Sequence, residues 1–328
     1  MRQWFCISPA AHLQYARYAD REGATMLKTN EDKLIKIAVI GEVSQPMLMP
    51  LGYNIGADGV ARTVPGVGGI TYNKRVGDPC VDLAADHVEP GVSMRKGDDP
   101  GHRSNAALNF LACVGNTAMV VSGDAKGKKG VVTGMHGGVE HVLVDFSEAV
   151  MEKMCIGDKI QIRAYGMGLE LSDFPRVKVM NCDPGLLSKW KIKAVAGERL
   201  EVPVAKIVPA KVMGSGLGSV TCHKGDYDIQ MFDEDTVKEF GLESLRFGDF
   251  VAITDADHTY GRIYKKGAVS VGIVVHSASD EAGHGPGVTT LLASPDGVLV
   301  PRIDPGANLA DILGLRKKPA KKKSAPKK

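Results

Sequence analysis

Short runs of β-branched and apolar residues, separated by glycines and polar turns, recur along the chain and predict strands. These runs lie at residues 34–43, 131–133, 142–146, 160–165, 177–180, 200–208, 229–232, 250–254, 269–276 and 288–294. Helical spacing is confined to short segments, at residues 10–18, 104–114, 147–154, 234–240 and 308–313. Strands and helices do not alternate regularly. The pattern therefore predicts a β-rich α+β fold with two packed β-containing parts whose sheets could close into barrels.

The hydrophobic pattern breaks at a turn near Cys182-Asp-Pro-Gly185. We therefore predict an N-terminal α+β domain over residues 1–185, which contains a long glycine-rich stretch at 50–103. A C-terminal β-rich domain is predicted over residues 186–315. Residues 316–328 contain no apolar residue beyond alanine and proline, and are predicted to be a disordered basic tail.

The composition is that of a globular protein, with 44% hydrophobic and 24% charged residues in 328. The net charge of +3 comes from the tail, which holds eight Lys and Arg; residues 1–315 carry 33 basic and 38 acidic residues, a net of −5. Aromatic residues are only 5% of the chain, which argues against stacked surfaces for single-stranded nucleic acid. We expect the partner to be a small-molecule ligand bound in a polar cleft between the two predicted parts, and the protein could form a homo-oligomer.

No targeting or membrane segment is evident in the sequence. No apolar run approaches the roughly 18–20 residues that span a bilayer, and the first residues lack the apolar stretch of a signal peptide. The six cysteines form no Cys-x-x-Cys pair, which argues against a zinc knuckle or a redox motif. We expect a cytoplasmic protein with reduced thiols and no membrane partner.

The densest chemistry lies in residues 249–294, where histidines and carboxylates stand at strand ends and in glycine-rich loops. The candidate metal ligands are Asp255, Asp257, His258, His276 and His284. Imidazoles with one or two carboxylates suit a divalent metal such as Zn, Mn or Fe. The alternative is that the two aspartates make turns and the histidines bond to loop backbone.

Convergence of these histidines depends on strand direction. His258 follows the strand at 250–254 and His276 ends the strand at 269–276, and consecutive ends of antiparallel neighbours lie at opposite edges of a sheet. The two imidazoles meet only if the connection at 259–266 carries the chain back first.

Candidate catalytic residues flank these ligands in two loops. Asp280 or Glu281 could serve as a general base beside a metal-bound water. The loop before the helix at 104–114 carries a pair of aspartates, a histidine and an arginine. His102 is a candidate catalytic residue beside this carboxylate pair, and Arg103 could orient an anionic substrate. The alternative is that this second loop only caps the helix.

The segment from Gly123 to Phe146 contains Lys-Gly-x-x-Gly-x-Val before a valine-rich strand, and resembles the KOW element of ribosomal and transcription-factor barrels. That resemblance implies RNA contact through Lys126, Lys128 and Lys129. A tight turn between two strands produces the same glycines. The acidic charge of residues 1–315 argues against nucleic-acid binding except through this loop and the basic tail.

Three longer segments carry a family resemblance. They are Gly-His-Arg-Ser-Asn-x-Ala-Leu-Asn at 101–109, Val-Val-Thr-Gly-x-His-Gly-Gly at 131–138, and His-Ser-x-Ser-Asp-x-x-Gly-His-Gly-Pro-Gly at 276–287. Together they resemble a bacterial and archaeal family known only as a domain of unknown function. The resemblance implies a shared fold over residues 35–315 and no assigned activity or catalytic residues.

The function that these patterns favour is metal-assisted hydrolysis of a small anionic or amide-bearing metabolite. Two alternatives remain at the level of sequence. One is a non-catalytic metabolite-binding or assembly protein, and the other is a nucleic-acid-binding protein that uses the KOW-like loop and the tail.

Overall fold

A computed structural model describes residues 27–48, 52–97, 99, 101–217 and 221–316. Strands account for 37% and helices for 14% of the structure, which confirms the β-rich α+β fold class. The α-helices in the described residues are α1 (Arg103–Leu111), α2 (Glu148–Met151), α3 (Pro184–Lys189), α4 (Glu234–Phe240) and α5 (Leu309–Leu313). The strands are β1 (Ile37–Val43), β2 (Asn54–Ile55), β3 (Ala61–Arg62), β4 (Ile70–Thr71), β5 (Gly91–Arg95), β6 (Thr117–Val120), β7 (Lys129–His136), β8 (His141–Asp145), β9 (Lys159–Ala164), β10 (Lys178–Val179), β11 (Lys193–Val195), β12 (Arg199–Val204), β13 (Lys206–Pro209), β14 (Met213–Leu217), β15 (Tyr227–Ile229), β16 (Phe250–Asp257), β17 (Ile263–Val274), β18 (Val288–Ser294) and β19 (Leu299–Ile303).

Six antiparallel strands close into a barrel in the order β1-β9-β6-β7-β8-β5. The barrel closes because β5 pairs back onto β1, with Val43 opposite Met94, while β4 adds to the outer edge of β5. Alternation decides which side chains point inward. In β9, Ile160 and Ile162 are fully buried in the barrel core, whereas the lysine and arginine at 159 and 163 point outward.

A second, five-stranded sheet has the order β10-β18-β17-β16-β13. Its strands pair antiparallel except for the parallel pair β13–β16. All seven residues of β18 are buried, as expected for a strand covered on both faces. A three-stranded sheet has the order β11-β12-β19. Trp190 links it to the second sheet. The indole N–H of Trp190 donates to the carbonyl of Pro203 in β12, and the centre of its ring lies 4.3 Å from that of Phe250 in β16.

The barrel and the second sheet meet where β7 approaches β18. The hydroxyl of Thr289 donates to the carbonyl of Met135 at 3.0 Å. One residue earlier, a Cβ at Gly134 would overlap the side chain of Val275, so the backbones approach closely because this position has no side chain. His136, at the end of β7, is thereby placed beside the chain that follows β17.

β15 completes this junction. The strand pairs with β14, and Asp228 forms a β-bridge with Gly287 in the loop before β18. The amide of Ile229 donates to the carbonyl of Pro286 at 2.9 Å. Three chain segments that are distant in sequence therefore lie side by side at one edge of the barrel.

The strands predicted at 250–254 and 269–276 differ from the structure at their ends. β16 ends later than predicted, at Asp257, and β17 begins earlier and ends earlier, at Ile263 and Val274. The two strands form one long hairpin, in which Asp257 pairs with Ile263. The register shifts between Thr254 and Ala256, and Asp255 adopts a φ of +58° at that bulge. An aspartate tolerates this left-handed conformation better than most residues.

Parts of the N-terminal and C-terminal predictions lie outside the described residues, namely the helix at 10–18 and the tail from 317 onward. The first residue of the predicted tail is described. The guanidinium of Arg316 donates to the carbonyl of Val76 and to the carboxylate of Asp78. Among the described helices, none is long and apolar enough to cross a membrane.

Candidate metal centre

Four histidines and two aspartates converge at the junction of the barrel and the second sheet. They form two groups of three whose ligand atoms all lie within 4.8 Å of one another. We call His136, Asp226 and His276 the buried cluster, and His87, Asp228 and His284 the cleft cluster. Imidazole nitrogens and carboxylate oxygens are the ligands of zinc and related divalent ions, and catalytic sites commonly use three protein ligands.

The buried cluster is sealed from solvent. His276 is 0%, Asp226 2% and His136 6% exposed. The Nε2 atom of His276 lies 2.5 Å from Oδ2 of Asp226, yet their orientation does not satisfy hydrogen-bond geometry and neither atom has a hydrogen-bond partner among the described residues. The rings of His136 and His276 stack at 4.2 Å. A Cβ at Gly287 would collide with both Asp226 and His276, so the loop passes this closely only as glycine.

The cleft cluster lies beside the buried cluster and is partly open. Nδ1 of His284 is 3.1 Å from both Nε2 of His87 and Oδ2 of Asp228. The side chain of His284 is 31% exposed and that of His87 is 14% exposed. An ion in this cluster would therefore be accessible to a ligand in solution.

Asp228 connects the two clusters. Its Oδ2 belongs to the cleft cluster, while its Oδ1 lies 3.6 Å from Nε2 of His276 in the buried cluster. Asp226 and Asp228 flank the first residue of β15, and alternate residues of a strand point to the same side. The carboxylate of Asp228 thus faces histidines of both clusters.

The outer hydrogen bonds of the histidines point their inner nitrogens toward the clusters. Nδ1 of His136 bonds to Glu89 at 2.7 Å, Nδ1 of His87 to Asp86 at 3.1 Å, and Nδ1 of His276 to the Ser277 carbonyl at 3.0 Å. Because these partners are acceptors, each Nδ1 carries the proton and each Nε2 presents a lone pair inward when the ring is neutral. Metal-ligating histidines almost always have such an outer acceptor.

Glu89 is the most heavily bonded carboxylate near the site. It is fully buried, faces Nδ1 of both His136 and His141, and accepts from the Gly68 amide at 2.7 Å and from the Ser93 hydroxyl. Burial opposes its ionisation, but the two imidazoles hold its pKa well below the usual value. Glu89 therefore stays charged and fixes the ring of His136.

The electrostatics of the clusters favour a cation. Burial opposes ionisation of Asp226 and Asp228, but the neighbouring imidazoles hold the pKa of both carboxyls below the usual value. Burial also opposes protonation of His276 and His87, yet the carboxylates raise the pKa of His276 well above normal and that of His87 to about 9. In metal-free protein, protons on these imidazoles offset the carboxylates, and a divalent ion would replace them.

A cleft of about 390 Å³ opens onto this centre. His87, His136, His284 and Glu281 are among the residues that line it. This size is within the usual range for a small-molecule pocket. The centre is therefore reachable by a small ligand from one side.

Comparison with known proteins places the chain in a family. Residues 53–188 match the family described as Domain of unknown function (DUF4438), N-terminal, and residues 189–313 match its C-terminal counterpart. The chain belongs to the DUF4438 family. A similar solved structure is the crystal structure of TM1086, which is 45% identical, with a TM-score of 0.82 over 88% of this chain and 99% of that chain. No curated protein matches the sequence.

The resemblance to a domain-of-unknown-function family is thereby confirmed, and the family descriptions assign no activity. The roles of individual residues in this DUF4438 chain therefore rest on the geometry of the two clusters. Of the ligands predicted from sequence, His276 lies in the buried cluster and His284 in the cleft cluster.

The other three predicted ligands lie outside both clusters. His258 and His276 sit at opposite ends of the β16–β17 hairpin, which is why they do not meet. Nδ1 of His258 instead contacts the hydroxyl of Thr290 at 2.8 Å. Asp257 accepts from the amide of residue 259 and Asp255 from that of residue 267, as turn-forming aspartates do.

The predicted catalytic residues also occupy different environments. Glu281 lines the cleft, whereas Asp280 pairs with Arg62 at 3.1 Å. His102 is the N-cap of α1 and accepts from the amide of residue 104, and Arg103 begins that helix at the exposed surface. His102 therefore has the helix-capping role that was the alternative interpretation of this loop.

Four members of the two clusters and the carboxylate that supports them were not among the residues predicted from sequence: His87, His136, Asp226, Asp228 and Glu89. His136 stood in the KOW-like segment and in the family segment at 131–138, but it was not proposed as a ligand. The lysine-bearing turn of the KOW-like segment, between β6 and β7, is exposed. The Asp-x-Asp spacing at 226–228 was the available signal, since a strand would point both carboxylates to one side.

His258 provides a test of stability against pH. Burial, with a smaller contribution from Arg262, lowers its pKa to about 3. In the unfolded chain the imidazole of His258 becomes protonated near pH 6.5, whereas in the folded protein it stays neutral until about pH 3. Protonation therefore favours the unfolded state, and the contribution of His258 to stability is present above pH 6.5 and is lost as the pH falls toward 3. Between pH 7 and pH 4 we expect His258 to account for a loss of about 3 kcal/mol in the free energy of unfolding.

Urea unfolding of metal-free protein at several pH values would measure this loss. The His258→Asn variant should have a shallower acid dependence than the wild type, and His102→Asn, at an exposed histidine, should match the wild type. Parallel curves for the wild type and His258→Asn would contradict the expectation.

Proposed function

We propose that this DUF4438 protein is a metal-dependent hydrolase with two adjacent ion positions, one in each cluster. The observation that carries the proposal is the carboxylate of Asp228, which presents one oxygen to each cluster. The inward lone pairs of His87, His136 and His276 support it, because their outer nitrogens are committed to acceptors.

The ligand set indicates the class of metal. Four imidazoles and two carboxylates, without a thiolate, suit Zn²⁺, Mn²⁺ or Fe²⁺ better than Ca²⁺ or Mg²⁺, which prefer oxygen ligands. An ion in the buried cluster would be held among three nearly inaccessible side chains. An ion in the cleft cluster would face the cavity, where it could lower the pKa of a bound water and polarise the bond to be hydrolysed.

Glu281 is the candidate general base of this reaction. Its side chain lines the same cleft as His87 and His284. Asp280, the neighbouring candidate, is committed to Arg62. A carboxylate that can reach a metal-bound water can accept its proton as the water attacks.

The proposal is tested on untagged protein by metal analysis and by hydrolysis assays with simple esters and amides, such as p-nitrophenyl acetate and p-nitroacetanilide. We expect bound divalent metal, turnover that a chelator removes and added Zn²⁺ or Mn²⁺ restores, and normal behaviour of His102→Asn. Bound metal without turnover of any ester or amide would instead favour a non-catalytic metabolite-binding protein.

A further inference from the structure

Two chemically different sets of side chains line the cleft. Histidines of the two clusters form the first set, which we call the floor. Six apolar or aromatic residues form the second set, which we call the apolar wall: Met47, Leu48, Tyr53, Val64, Val67 and Val139.

The positive charge of the cleft is already neutralised. Among the described residues that line it, Arg62 is the one lysine or arginine. Its two terminal nitrogens bond to the carboxylate of Asp58 at 2.9 and 2.6 Å, and its Nε lies 3.1 Å from Asp280. A substrate carboxylate or phosphate on this wall would find no uncommitted guanidinium.

Carboxylates in the lining also disfavour an anionic ligand. Asp86 accepts from the side chain of Asn54 and faces Nδ1 of His87, and Glu281 adds a second carboxylate to the wall. A negatively charged tail on a ligand bound at the floor would lie near these carboxylates and the apolar wall. It would lose hydration without gaining an uncommitted lysine or arginine among the described lining residues.

We propose that the cleft takes an uncharged ester or amide with an apolar acyl group, whose carbonyl binds at the cleft cluster and whose hydrocarbon packs on the apolar wall. This inference rests on the proposed function for the role of the floor. It selects the amide-bearing class of substrate over the anionic class that the sequence had left open.

Hydroxamates of different tails test the inference, because the hydroxamate group chelates the metal and the tail samples the wall. Binding of acetohydroxamate, hexanohydroxamate and adipic acid monohydroxamate to zinc-loaded protein would be measured by calorimetry. Each buried methylene is worth about fourfold in affinity, so hexanohydroxamate should bind at least about 50-fold more tightly than acetohydroxamate. Adipic acid monohydroxamate has the same chain length as hexanohydroxamate but ends in a carboxylate. It should therefore bind about tenfold or more weakly than hexanohydroxamate.

Substitutions in the apolar wall test whether the hydrocarbon tail of the ligand packs there. Val64→Ser and Val139→Ser, at partly exposed positions of the wall, should weaken hexanohydroxamate binding several-fold and leave acetohydroxamate binding unchanged. Val60→Ser, at a half-exposed valine that does not line the cleft, is the matched control and should change neither. Unchanged acetohydroxamate binding also shows that each variant is folded.

The outcomes separate this inference from the proposed function. Equal affinities for the acetyl and hexanoyl compounds, or tighter binding of the adipic compound, would overturn the inference even if esters are hydrolysed. If affinity depends on the hydrocarbon tail of the hydroxamate but no ester or amide is hydrolysed, the inferred class of ligand is supported and the proposed hydrolase function is contradicted. If the protein binds no ion, n-hexanamide and adipamate on metal-free protein make the same comparison, and a preference for adipamate would overturn the inference.

Discussion

Replacing Asp228 with asparagine is expected to reduce metal affinity and any hydrolytic activity by at least about 100-fold. The substitution would keep the size of the side chain and the bond from the Gly285 amide, but it would remove the charge that faces both clusters. Even outer-shell changes at metal sites cost about 10–100-fold, and under the proposed function Asp228 would be a ligand in both ion positions. Metal content after gel filtration and the rate of ester hydrolysis would measure the loss.

Asp255→Asn is the matched control for this substitution. Asp255 was a candidate ligand from sequence, but its carboxylate accepts from the amide of Gly267 in a turn. An asparagine can accept the same bond, so metal content should be unchanged. Loss of metal in Asp255→Asn with retention in Asp228→Asn would show that the ligands lie near the β16–β17 hairpin and not in the two clusters.

Glu89→Gln is expected to lower the free energy of unfolding by about 3–5 kcal/mol. The carboxylate of Glu89 faces four donors, on Gly68, Ser93, His136 and His141. A glutamine has one acceptor oxygen, and its amide N–H groups would face donors in a site with no solvent access. Removing one partner of such a buried charged network leaves the others uncompensated.

Denaturant unfolding of metal-free protein would measure this effect separately from metal binding. Glu243→Gln, at an exposed glutamate in the same chain, should stay within about 0.5 kcal/mol of the wild type. Metal affinity of folded Glu89→Gln should also fall, because His136 would lose the acceptor that fixes its ring. A loss of less than about 1 kcal/mol would contradict the structural role assigned to Glu89.

Local patterns in the sequence predicted many of the strands and helices, but they predicted no strand at β5, β6 or β19, and they merged β12 and β13 into one strand. The strand at 288–294 and the helix at 234–240 have the predicted bounds, because apolar runs and caps act over a few neighbouring residues. The hairpin of β16 and β17 was predicted too short. The first five residues of β17 are exposed and pair with β16 through their backbone, which leaves little hydrophobic pattern to detect.

Only two of the six residues in the two clusters were predicted as ligands from the same patterns. His276 and His284 were found because they lie close together in sequence beside glycines and carboxylates. Their partners come from the barrel strand β7, from a loop before β5 and from β15. His258 was grouped with them because it is near in sequence, although the antiparallel pairing of β16 and β17 carries it to the far end of the hairpin.

The sequence by itself determined the β-rich fold class, the family and the residue types that could bind a metal. Only the tertiary structure decided which of those residues meet. Closure of the barrel places His136 at its edge, and the contact of Gly134 with Val275 sets that edge against the second sheet. Asp226 and Asp228 then reach the same point from β15. Such convergence depends on strand order and packing between distant segments, and these are set by burial of the whole core and not by any local run of residues.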